Sequence, residues 1–176
     1  GNGSVLWSLP AWKKVREIGK EIGVVNAVVF DPKANRMVIG GKNGKLSVYS
    51  LDDGKLLSEG NSTNLTPVTA LAFSGGEIPH LAVARENKVI EAWPVPPVED
   101  SVDWKPLREL KGHTSVPRHL AFHPTDPNVF FSGADDSTVR AWKFKEGSAI
   151  KSMSVGTPVQ GFALSPDGAR FAVSGT

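Results

Sequence analysis

The chain has 176 residues, 40% hydrophobic and 22% charged, which supplies a packed core and excludes a disordered segment. Its 20 basic and 18 acidic residues are scattered and leave a net charge of +2, so neither nucleic acid nor an anionic membrane is expected as a partner. Cysteine is absent, which removes disulfides, thiolate zinc sites and a cysteine nucleophile, and no run approaches the ~20 apolar residues that cross a bilayer.

A soluble chain is expected, with the compartment left open and the cytoplasm preferred. Abundant glycine and proline beside Val, Phe, Trp and Thr favour short strands and tight turns over long helices. In chain order, Gly1-Asn2-Gly3 reads as a turn and Ser4 to Leu9 as a strand. The basic run Lys13-Lys14-Val15-Arg16 reads as a solvated strand or turn. An apolar strand ending in a turn signal spans 25–32, and a further strand runs from Lys45 to Leu51. Between them Gly40-Gly41-Lys42-Asn43-Gly44 is a hairpin turn, since no helix follows to make it a phosphate loop.

The same succession returns. First strands are expected at 68–75, 117–124 and 159–166, and third strands at Val89 to Val95 and Thr138 to Phe144. Val129 to Gly133 is a second strand, and Lys105 to Leu110 and Ser148 to Val155 are fourth strands. Phe30, Phe73, Phe122 and Leu164 hold one position of this pattern, 43, 49 and 42 residues apart. Counting on from Leu164 through residue 176 and back in at residue 1, Phe30 is again 42 residues away. These intervals match a propeller blade of roughly 40 to 45 residues. Ala172 to Thr176 is then a second strand lacking its third, and Gly1 to Leu9 a third strand lacking its second. Pairing the two would remove exposed edges.

On these residues the chain resembles the WD40 repeat family over essentially its whole length. The clearest copy runs from Gly112-His113 through Ser132-Gly133-Ala134-Asp135-Asp136-Ser137-Thr138 to Trp142. The resemblance implies an all-β, WD40-type β-propeller with four blade-equivalents in one domain. The blades are placed at about 24–65, 66–112, 113–155, and 156–176 completed by 1–23. An eight-bladed ring made by a strand-swapped homodimer is the preferred assembly, with a piece of a longer propeller and a four-bladed ring as alternatives. The resemblance also implies a structural hydrogen-bond network of His113, Ser132, Asp136 and Trp142. In the other blades Asn2, Asn43 and Asn87 stand at the Asp136 position and Ser8, Tyr49 and Trp93 at the Trp142 position. Alternation puts Trp7 on the opposite face from Trp142.

No catalytic residue, metal ligand or cofactor site is expected. His119 and His123 lie about 13 Å apart along a strand rising roughly 3.3 Å per residue, too far to share an ion. The implied function is a scaffold for other proteins or peptides, with self-association. The alternatives are a ligand-binding or enzymatic site in the axial channel and a structural segment of a longer propeller. The candidate binding surface is Lys42, Arg85, Arg118 and Asp135 on one face, with Trp104 from the irregular, Pro-rich segment 93–106. Trp104 is read as either an edge cover, which is preferred, or an exposed anchor. Sequons at Asn2, Asn61 and Asn64 decide nothing about secretion.

Overall fold

The computed structural model describes residues 3–60, 62–96 and 104–175, and within them all regular structure is β-strand apart from one 3-10 turn at Lys20–Ile22. Strands β1 (Ser4–Ser8) and β2 (Lys13–Ile18) form a hairpin of their own. Three four-stranded meanders follow. The first contains β3 (Val25–Phe30), β4 (Arg36–Gly41), β5 (Leu46–Ser50) and β6 (Leu56–Glu59). The second contains β7 (Val68–Phe73), β8 (Leu81–Arg85), β9 (Ile90–Trp93) and β10 (Arg108–Leu110). The third contains β11 (Pro117–Phe122), β12 (Val129–Ala134), β13 (Thr138–Lys143) and β14 (Ser148–Ser154). A last hairpin joins β15 (Val159–Leu164) to β16 (Phe171–Gly175).

One turn device sets the register of all three meanders. Gly40 lies opposite Leu46, Ala84 opposite Ile90, and Gly133 opposite Val139, so the second and third strands pair symmetrically about Asn43, Asn87 and Asp136. In each turn that residue's side-chain oxygen accepts the N–H two residues on, from Lys45 at 3.0 Å, Val89 at 3.4 Å and Thr138 at 3.0 Å. A short polar side chain closing on its own backbone fixes the turn, and with it the pairing of everything beyond.

The sheets stack face to face in chain order. Ile18, Ile22, Met37, Ile39 and Tyr49 join the first hairpin to the first meander. Val38, Leu46 and Val48 meet Val68, Leu81, Val83 and Trp93 in the next seam. Ala82, Ile90 and Ala92 meet Phe130, Trp142 and Phe144 in the one after. Close approach needs a missing side chain at two points: a Cβ on Gly133 would lie 2.6 Å from Val159 Cγ1, and one on Gly40 would overlap Val68. At the far end Phe131, Phe162 and Phe171 stand in line at 6.3 and 5.7 Å, but Phe171 stays exposed and β14 is exposed throughout.

Three expectations change. The expected strand Val89–Val95 shortens to Ile90–Trp93 and Lys105–Leu110 to Arg108–Leu110, because Pro94 and Pro106 have no N–H for the ladder. Among the described residues β1 pairs only with β2 and β16 only with β15, so the terminal strands do not share a sheet within one chain as the four-bladed ring would require. Each hairpin sits at its own end of the stack. Asn2, Asn61 and the 97–103 part of the Pro-rich segment lie outside the described residues.

The Gly133 contact gives a direct test of the seam. Gly133→Val should cost about 1–3 kcal/mol by overpacking against Val159. Gly75→Ala, where a Cβ would meet only Pro124 O at 3.9 Å, should change little. Urea unfolding of both variants measures this, and equal midpoints would show that the seam has slack.

Candidate functional site

The third strands place a polar-tipped residue at one repeated position, and its donor must be met wherever the ring is buried. Trp142 on β13 is 1% exposed and its Nε1–H donates to Ser132 Oγ at 2.8 Å. Ser132 Oγ lies 2.6 Å from His113 Nε2, and His113 Nδ1 lies 2.8 Å from Asp136 Oδ2. The ionised Asp136 carboxylate can only accept, so Nδ1–H of the neutral ring donates to it, which leaves Nε2 to accept from the Ser132 hydroxyl while the Ser132 oxygen accepts from the indole. Asp136 also accepts from Thr114 N–H at 2.8 Å and from the Thr138 hydroxyl at 2.6 Å. The four residues implied by the family resemblance are therefore brought together in one chain of donors and acceptors.

Electrostatics follow from that burial. Burial pushes the His113 imidazole below its ordinary 6.5, and Arg140 adds to this against the opposing pull of Asp136. Burial alone would raise the Asp136 carboxyl, but hydrogen bonds from Thr138, His113 and Thr114 outweigh it and hold the value at about 2. Ser132 is fully buried, and its oxygen is enclosed between imidazole and indole. The geometry orients three side chains and offers no approach to the hydroxyl.

The other meanders solve the same problem differently. Trp93 donates its Nε1–H to Glu91 Oε2 at 2.8 Å. Glu91 is fully buried, pairs with Arg85 Nε at 2.9 Å and accepts from the Ser62 hydroxyl at 3.1 Å. The Tyr49 hydroxyl donates to Glu21, and burial followed by that bond pushes the phenol pKa upward. Sequence reasoning missed Glu91. Its signal was one acid in the otherwise apolar strand Ile90–Trp93, one turn after an arginine.

The candidate binding residues separate. Arg85 is a correction: expected on the surface, it is fully buried. Its position matches Gly41 and Ala134, also buried, whereas Glu86 matches the turn residues Lys42 and Asp135, and one residue along a strand reverses the face. Arg85 Nη1 donates to Gly44 O at 2.8 Å and Thr66 O at 2.9 Å, tying two sheets together. Trp104 is 3% exposed, donates to Pro94 O at 3.2 Å and lies 4.9 Å from the Trp93 ring, so it covers that seam and is not a surface anchor.

Arg118 and Asp135 do come together, with Arg118 Nε 2.9 and 2.8 Å from the two carboxylate oxygens. Lys42 is exposed in the β4–β5 turn, two sheets away. Arg118 sits in a bulge that recurs in every first strand, between Val25 and Ala27, Val68 and Ala70, Pro117 and His119, and Val159 and Gly161. A bulge re-aims the side chain it contains. Asn26 thereby reaches Val68 O at 3.0 Å and Thr69 reaches Pro117 O at 2.5 Å, each tying one first strand to the next. Arg118 makes no such tie. Among the described residues its terminal amines have no hydrogen-bond partner.

A family model described as "WD domain, G-beta repeat" matches residues 104–143, which contain the whole His113–Ser132–Asp136–Trp142 network. Coronin-7 of Bos taurus is 37% identical over 111 residues, covering 62% of this chain and 12% of that protein. Nuclear distribution protein PAC1 of Komagataella phaffii is 36% identical over 72 residues, 41% of this chain and 14% of that protein. The tRNA (guanine-N(7)-)-methyltransferase non-catalytic subunit wdr4 of Xenopus laevis is 27% identical over 153 residues, 83% of this chain and 35% of that protein. The chain thus spans 12–14% of the length of the first two relatives and about a third of the third.

Both networks make measurable predictions. As pH falls through 6.5 the unfolded chain protonates at His113 before the folded one does, so stability should drop. A second loss should follow between 3.8 and about 2, where the unfolded Asp136 protonates first. Melting temperature against pH should show a shallower fall near neutrality in His113→Gln, with a remnant from His80, whose pKa burial also lowers. Identical slopes would refute the assignment. Glu91→Gln leaves a buried guanidinium without its counter-charge and should cost about 3–5 kcal/mol, whereas adding Arg85→Met, which removes that charge while the new amide oxygen still accepts from Trp93, should recover most of it. Equilibrium unfolding of the two variants tests that non-additivity.

Proposed function

We propose that this chain, a member of the WD40-repeat family, is a non-catalytic scaffold that holds other proteins or peptides on the face carrying the β4–β5, β8–β9 and β12–β13 turns. The observation that carries this reading is Arg118. It is half-exposed at the start of a first strand, its Nε is fixed by Asp135, and its two terminal amines are free to accept a bidentate acidic group. On the opposite rim polar side chains pair with one another: Asp31 with buried Arg36, Asn35 donating to Asp52, and Asn128 donating to Glu146. The partner surface should therefore present an aspartate or glutamate to Arg118, within reach of Lys42 on the same face.

The enclosed Ser132 supports a structural role for the His–Ser–Asp set over a hydrolytic one. The relative from Xenopus laevis is by name the non-catalytic subunit of a methyltransferase, and a non-catalytic part in an assembly is what we carry over from it. Neither a metal nor a nucleic acid enters this reading. The blade division at 24–65, 66–112 and 113–155, with 156–176 completed by 1–23, is part of the same proposal, as is self-association of two chains into one eight-bladed ring. A second reading, a set of sheets within a longer WD-repeat protein, has support in the much greater length of the relatives.

Affinity capture from a cell extract, followed by mass spectrometry, tests the scaffold. Arg118→Glu should lose the bound proteins by at least ~10-fold, as truncating a central arginine anchor does, while Lys33→Glu on the opposite rim should keep them. Equal recovery with both variants would remove this face from the interface.

A further inference from the structure

The β4–β5, β8–β9 and β12–β13 turns share one backbone. In each, one residue is left-handed, with Gly44 at φ +80°, Lys88 at +72° and Ser137 at +62°. Its N–H donates to the carbonyl three residues back, on Gly41, Arg85 or Ala134, at 3.1, 3.1 and 3.3 Å. The residue before it is Asn43, Asn87 or Asp136, and of these only Asn43 is followed by a residue without a side chain.

Two separate demands put asparagine and glycine side by side there. Gly44 lies under the β6–β7 connection, where a Cβ would come within 2.2 Å of Leu65 O. Asn43 uses both ends of its amide. Its Oδ1 accepts from Lys45 N–H at 3.0 Å and closes the turn, while Nδ2–H donates to Ile22 O at 3.2 Å and ties the hairpin to the 3-10 turn before β3. An asparagine before a glycine is also the one most open to attack by its own backbone, because no Cβ shields the next nitrogen from the side-chain carbonyl carbon.

We infer that Asn43 is a site of self-modification in the folded chain, where it converts to aspartate and isoaspartate. The Gly44 nitrogen gives its proton to hydroxide and bonds to Asn43 Cγ. The Cγ–Nδ2 bond then breaks, Nδ2 takes a proton from water and leaves as ammonia, and a five-membered succinimide remains. Water opens the ring at Cγ to give aspartate, or at the main-chain carbonyl to give isoaspartate.

The turn is set up for this step. Lys45 N–H already points at Oδ1, where negative charge collects during the attack. Asn43 is exposed, so hydroxide and water reach it. What holds the reaction back is the bond from Gly44 N–H to Gly41 O, a single contact at the tip of a hairpin, where local opening is easiest. Either product lacks the amide donor to Ile22 and adds a negative charge, and isoaspartate also lengthens the main chain in the turn that centres the β4–β5 pairing.

The repeat supplies its own control. Asn87 shares the turn, the exposure and the left-handed successor, but Lys88 carries a side chain. The native protein is held at mildly alkaline pH and sampled by peptide mapping, with isoaspartate labelled by a protein isoaspartate methyltransferase. Asn43 should exchange one ammonia for one water several-fold faster than Asn87, with isoaspartate the larger product and a rate that rises with pH. Hydrogen exchange of the aged protein should quicken at residues 20–24 and 41–45 and stay unchanged in the β12–β13 turn. Conversion only after unfolding in urea, or equal conversion at Asn43 and Asn87, would overturn the site. Conversion with unchanged exchange would overturn the loss of the Ile22 tie.

Discussion

All five residues of Leu81–Arg85 and all four of Ile90–Trp93 are buried, so the middle sheet is covered on both faces and needs a neighbour on each side. That demand propagates. The sheet before it is covered on one face by Val68, Leu81 and Trp93, and on the other by Ile18 from the first hairpin and Ile22 from the 3-10 turn after it. Strands buried on both faces lose the polar-out alternation of a surface sheet, which is why β4, β8 and β9 read as continuous buried runs. The spacing between sheets is set by small residues where a first strand crosses its predecessor, with Gly40 under Val68 and Gly133 under Val159. Among the described residues the first and last sheets, at the two ends of this stack, expose Trp7 and Phe171.

Burying an aromatic ring with a polar tip creates a second demand. Trp142, Trp93 and Tyr49 occupy one repeated position, and each hands its donor to a different acceptor: Ser132, Glu91 and Glu21. The requirement lies in the donor, and the residue that meets it varies. Where a serine serves, histidine and aspartate extend the chain to the turn and the carboxylate is satisfied by four donors. Where glutamate serves, its charge needs a counter-ion at hand, and Arg85 supplies it while reaching Gly44 and Thr66 across the seam. The Arg85–Glu91 pair thus couples two sheets, whereas the His113–Ser132–Asp136–Trp142 network stays within one.

What the sequence disclosed was local. Strand positions, the turn residues Asn43, Asn87 and Asp136, and the repeat interval are written in short windows, because a side chain closing on its own backbone needs no distant partner. The His113–Ser132–Asp136–Trp142 set was legible for a related reason: its members lie within one repeat, and their order there resembles a known family. Arg85 was misplaced by a single residue of alternation, since a turn charge and a buried cation look alike until Glu91, opposite Val83 on the next strand, is brought within reach. The joint sheet of the two terminal hairpins was not decided by any window, for it depends on where the stack carries its two ends.

The two rims of the stack differ in what their polar groups have left to do. At one rim Asp31 and Ser165 are held within their own turns and Asn35 and Asn128 by the neighbouring turn of the same sheet. At the other rim the first-strand bulges turn one residue per sheet out of the ladder. Asn26 and Thr69 use that freedom to grip the next first strand, so they stiffen the rim without advertising it. Arg118 is too long for such a grip and turns back to Asp135, which orients its guanidinium and leaves the outer amines unmatched. A charged group that is oriented by its own sheet but not satisfied by it binds an acidic partner at little entropic cost. The scaffold reading therefore places the binding surface at Arg118, the point where the inter-sheet ladder is interrupted.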